Sequence, residues 1–90
     1  MNRIYKYELK ITDVQEVLLP INSKILSIKE QNGLIQLWAF INPSETNFEK
    51  NRIYIFGTGN PIPENYEDLI YIDTVIQEQF VWHVFKEEEK

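Results

Sequence analysis

One histidine, no cysteine and one loop rich in glycine and proline hold most of the chemistry open to this chain of 90 residues. Nucleophilic or acid–base catalysis needs a base positioned beside a nucleophile. His83 is the sole imidazole, and it sits in Phe80-Val81-Trp82-His83-Val84-Phe85, where both faces of a strand are largely apolar. A histidine in that setting is expected to be a packed side chain with a hydrogen-bond partner. No residue is assigned as catalytic, and the chain is read as a protein that is not an enzyme. A zinc centre needs clustered thiolate and imidazole ligands, which this composition lacks. Glu64, Glu67 and Asp68 lie close together but without the central glycine of a calcium loop, so they read as a solvated turn. The expectation is no metal and no cofactor.

The stretch best suited to binding is Phe56-Gly57-Thr58-Gly59-Asn60-Pro61-Ile62-Pro63, which holds two of the three glycines and two of the four prolines. It matches neither the dinucleotide fingerprint nor a P-loop, because the spacing fails and no helix follows. Glycine still permits positive φ and close backbone approach, and successive N–H groups can cradle an anion. Thr58 and Asn60 add side-chain donors and acceptors. Pro-Ile-Pro is stiff and extended. Two readings follow: a recognition loop, or a turn whose Ile62 plugs the core. The candidate ligand-binding set is Gly57, Thr58, Gly59 and Asn60 for a phosphate, Trp38 and Tyr54 for stacking on a base, and Arg52 for charge, with Lys29 as the other cation.

These residues need a scaffold, and the chain reads as β throughout. Arg3 to Ile11 alternates, with Tyr5, Tyr7, Leu9 and Ile11 on one face and Lys6, Glu8 and Lys10 on the other. Val14 to Leu19 is a second strand, closed by Pro20. Asn32-Gly33 between two apolar runs predicts a type I′ hairpin. Its register sets Gln31 against Leu34, Ile28 against Leu37, Ser27 against Trp38, Leu26 against Ala39 and Ile25 against Phe40. Asn42 to Asn51 reads as a polar loop, Arg52 to Phe56 as a strand, and Leu69 to Ile76 with Phe80 to Phe85 as a second hairpin. Glu87-Glu88-Glu89-Lys90 reads as a frayed tail. The expected fold is a single all-β domain over residues 1–90, a small antiparallel β-sandwich or partly open barrel of about seven strands.

Composition narrows the partners. Fourteen acids against nine bases give a net charge of −5, which lacks the basic footprint of a protein that binds nucleic acid in bulk. No apolar run reaches the roughly 18 residues of a membrane span, and no leader of basic then apolar residues opens the chain. The expectation is a cytoplasmic protein with no membrane partner. So small a core gains from self-association, so a homo-oligomer is expected.

The motifs Ile4-Tyr5-Lys6-Tyr7…Ile11-Thr12-Asp13, Asn32-Gly33…Leu37-Trp38-Ala39, Phe56–Pro63 and Trp82-His83-Val84-Phe85 together resemble a group of small uncharacterised proteins of tailed bacteriophages and prophages. The resemblance spans nearly the whole chain. It implies a setting, the host bacterial cytoplasm, and no functional residue. Small phage proteins often counter host defence, by sequestering its nucleotide signal or by blocking a defence protein. The sequence reading places sequestration of a small nucleotide first, direct blockade of a host protein second, and a virion accessory role beside it.

Overall fold

Alternating side chains and tight turns give seven strands in the computed structural model, which describes residues 1–88. They are β1 (Arg3–Leu9), β2 (Val14–Pro20), β3 (Lys24–Gln31), β4 (Leu34–Ile41), β5 (Phe48–Gly57), β6 (Leu69–Gln77) and β7 (Phe80–Glu87). A short 3-10 turn, Tyr66–Asp68, precedes β6. The strands form a three-stranded sheet, β1-β4-β3, and a four-stranded sheet, β2-β5-β7-β6. Every pairing is antiparallel, and the two sheets do not close into a barrel.

The core between the sheets is aliphatic. Leu19, Ile28, Ile35, Leu37, Ile53 and Val84 are its largest fully buried side chains. Burying each contributes about 1.5–3 kcal/mol. Of the twelve aromatic residues, Phe56 alone is buried; Tyr7 and Trp82 are partly buried and pack against the core.

The hairpin of β3 and β4 turns at Asn32 and Gly33, both with positive φ as a type I′ turn requires. The expected register holds from Gln31–Leu34 to Ser27–Trp38. It then slips at a bulge between Ile25 and Ser27, so Ile25 faces Ala39 and Lys24 faces Phe40. The added residue moves Ile25 against the core and leaves Leu26 exposed, reversing their expected places.

Three other boundaries differ from expectation. Strand β5 starts at Phe48, inside the stretch read as loop, because Phe48 to Asn51 pairs with Pro20 to Val17. Its buried Asn51 donates through Nδ2 to the carbonyls of Val17 and Glu49, both at 3.4 Å, so a polar residue occupies a core-facing place. Strand β1 stops at Leu9, and Ile11 lies exposed in the following bend. Strand β7 extends to Glu87; Glu89 and Lys90 of the expected frayed tail lie outside the described residues.

The edges of β3 and β6 meet in a seam made by side chains. Asp73, beside a bulge in β6, accepts from the Ile28 N–H at 3.0 Å, the Thr74 N–H at 2.9 Å and the Lys29 ammonium at 3.2 Å. Burial works against its charge, but these donors outweigh it and hold the carboxyl below its ordinary value. At the hairpin tips, Gln77 donates to the Gly33 carbonyl at 3.0 Å and accepts from the Trp82 indole N–H at 3.1 Å.

Candidate binding groove

The outer face of the four-stranded sheet is built by β5, β6 and β7 in register. Tyr54 pairs with Phe85, and Phe85 with Tyr71. Because cross-strand partners share a face, their rings line up. Tyr54 and Phe56 stack at 6.1 Å, Phe56 and Phe85 tilt at 5.7 Å, and Phe85 meets the edge of Tyr71 at 5.5 Å. The result is an aromatic ladder across three strands, with Tyr71 54% exposed at its end. Strand β2 adds exposed Val14 and Leu18 to this face.

The Gly-Pro loop stands over one end of that face. Asn60 N–H donates to the Gly57 carbonyl at 3.0 Å, closing a four-residue turn with Gly59 at φ 88°, where a Cβ is strained. Gly57 is crowded by side chains. A Cβ there would meet Asn60 Nδ2 at 2.9 Å and the Trp82 ring at 3.2 Å. Thr58 N–H donates to Val81 at 3.3 Å, and Thr58 Oγ1 lies 2.7 Å from His83 Nε2. The loop is therefore tied to β7 by backbone and side chain.

Beyond the turn, Asn60 to Pro63 forms one wall of a groove of about 450 Å³. Asp13, Val14, Tyr54, Ile55 and Phe56 form the rest. Ile62 is 57% exposed, so it is a rim residue and not the core plug of the second sequence reading. The groove is mostly apolar, and its lining holds one carboxylate, Asp13, and no cation. The N–H groups of Thr58 and Asn60, expected to cradle phosphate, are engaged within the protein.

Of the residues singled out in the sequence, Tyr54 and Asn60 line the groove, and Gly57, Thr58 and Gly59 lie in the turn that leads into its wall. Arg52 shares their face, two residues from Tyr54 along β5, but beside a separate polar hollow. There it lies 4.0 Å from Glu87. Trp38 does not join them. It belongs to the outer face of the other sheet, where Lys6 Nζ sits 5.7 Å above its ring. Lys29 is spent on Asp73 at the seam.

His83 is half-buried and sits in a chain of polar groups that the apolar pattern around it concealed. Its Nε2 meets Thr58, its Nδ1 meets Thr74 Oγ1 at 3.3 Å, and Thr74 Oγ1 meets the Tyr71 hydroxyl at 2.6 Å. The expected hydrogen-bond partner exists twice over. The observed pairing of Gln77 with Phe80 puts Thr74 opposite His83, whereas strands ending at Ile76 and restarting at Phe80 would set Thr74 against Trp82, so this contact was not readable from the expected bounds. Among the described residues no group of three acids or histidines is placed to hold a metal ion.

Neither curated proteins nor solved structures gave a match to this chain. A family model described as a domain of unknown function, DUF7352, matches residues 1–90, and the protein belongs to that family.

Proposed function

We propose that this chain is a non-enzymatic binding protein of the phage type, which counters a host defence in the bacterial cytoplasm by covering a partner protein. The observation that carries this reading is the groove between Tyr54-Phe56 and Asn60–Pro63, continuous with the aromatic ladder. An apolar, aromatic surface with an acidic rim suits an apolar segment bearing a basic residue. It suits a phosphate poorly, since the lining supplies an acid and the N–H groups of Thr58 and Asn60 are engaged. The geometry at His83 supports a role without turnover. Its second nitrogen faces a hydroxyl, whereas a carboxylate in that place would steady an imidazolium through an acyl-transfer cycle.

The test is affinity capture from bacterial lysate with the wild-type chain, Val14→Glu and Trp38→Ala, followed by binding of the purified partner. The expected result is one partner held by wild type and Trp38→Ala and lost with Val14→Glu. A partner retained equally by all three overturns the assignment of the groove. Native mass spectrometry of the chain after exposure to a nucleotide extract tests the other target. A discrete nucleotide adduct on a defined oligomer would replace protein blockade with sequestration.

A further inference from the structure

We propose that Thr58 is a nucleophilic acceptor of acyl groups, with His83 as its base. His83 lies between two hydroxyls, with Nε2 2.7 Å from Thr58 Oγ1 and Nδ1 3.3 Å from Thr74 Oγ1. Thr74 Oγ1 is in turn 2.6 Å from the Tyr71 hydroxyl. With the ring proton on Nδ1, Nδ1 donates to Thr74 and Thr58 donates to Nε2. On this assignment the lone pair of Nε2 points at the Thr58 proton, the arrangement by which histidine activates a hydroxyl.

The surroundings fit an acyl donor. Thr58 is exposed between two glycines at the head of the loop, so an incoming carbonyl meets little bulk. Phe56 is the cross-strand partner of His83 and also lines the apolar groove, whose far wall begins at Asn60, two residues beyond Thr58, so an acyl chain has an apolar surface within the same loop and strand. The step is a single acyl transfer from an activated ester or thioester. Thr58 Oγ1 bonds to the carbonyl carbon as the bond from that carbon to the leaving oxygen or sulfur breaks. The threonine proton passes to Nε2 and on to the leaving group, and nothing is oxidised or reduced. The product is a threonine ester. The step proposed ends at that ester, in keeping with a protein that acts by occupancy. The ester also lacks the proton that Thr58 gives His83, so acylation removes the side-chain tie between the loop and β7 and leaves the backbone bond to Val81.

The experiment uses the full chain and p-nitrophenyl acetate, followed by intact mass and peptide mapping. One acetyl group on Thr58 is expected. Thr58→Val abolishes it, Thr58→Ser retains it, and His83→Gln slows it about 100-fold, the usual scale of general-base assistance. Thr74 is a positioning residue, so Thr74→Val slows labelling and Thr74→Ser restores it. Circular dichroism confirms that each variant is folded. No adduct, an adduct only on lysines or the amino terminus, or a Thr58 adduct indifferent to His83→Gln overturns the proposal.

Discussion

The two outer faces of this sandwich follow the same alternation rule and reach opposite surfaces. On the three-stranded sheet, Lys6, Glu8 and Lys29 surround Trp38, and Lys6 closes over its ring while donating to Gln31 at 2.8 Å. The Lys6 stem covers Trp38 there, while Ile4 and Phe40 stay exposed farther along, so the face is mixed. On the four-stranded sheet, aromatic residues follow one another across β5, β7 and β6 and cover each other. The difference lies in what the neighbouring strands supply at each position. Trp38 is flanked across the sheet by Lys6 and Ser27, whereas Phe85 is flanked by Tyr54 and Tyr71. An aromatic residue becomes a platform where its cross-strand neighbours are aromatic too, and a covered side chain where they are charged.

The largest expected effect is on the core shared by both faces. Leu37 is fully buried, and Leu37→Ala should cost about 2–5 kcal/mol in chemical denaturation. That value sets the scale against which surface effects are judged. Next is the seam. Asp73→Ala strands the Ile28 and Thr74 N–H groups and should cost about 1–3 kcal/mol. Asp73 has a lowered value in the folded protein, so its contribution is present above the ordinary aspartate value of about 4 and is lost as pH falls through the folded value. A denaturation series from pH 6 downward, a range of about 4 units, should show that loss in wild type and its absence in Asp73→Asn.

The loop is of like size but local. Gly59→Val places a branched residue at φ 88° and should cost about 1–3 kcal/mol locally, read as faster cleavage of the loop by protease. The smallest stability effect and the sharpest contrast come from the two faces themselves. Tyr71→Ser and Trp38→Ala should each shift stability by about 1 kcal/mol or less. Only Tyr71→Ser should weaken partner binding, by about tenfold or more in titration calorimetry. Equal losses from both would remove the distinction between the faces.

Much of the fold was legible because it rests on local rules. The Asn32-Gly33 turn fixed the hairpin near its tip, and period-two alternation found the strands. What escaped depended on neighbours distant in the chain. The bulge at Leu26 lies in a strand whose edge meets β6, and Phe48 to Asn51 becomes a strand because β2 runs alongside. Neither carries a signal of its own. The glycines of the loop were correctly marked as special, for turn geometry at Gly59 and for crowding at Gly57. The engagement of the turn's N–H groups was hidden because one acceptor, Val81, lies on another strand. Ile62 looked like a plug by hydrophobicity alone, and only the position of the loop over the outer face makes it a rim.

The seam at Asp73 also bears on the order in which the molecule assembles. The β3–β4 and β6–β7 hairpins close through turns of two residues, Asn32-Gly33 and Glu78-Gln79, so their contacts form between near neighbours in sequence. Asp73 reaches across 45 residues to the Ile28 amide. Closing so long a segment costs more entropy than closing a hairpin, and contacts of that separation slow folding. With a carboxylate in place of a backbone ladder, the seam is the joint that locks after its two hairpins exist and the first to part when the native protein breathes.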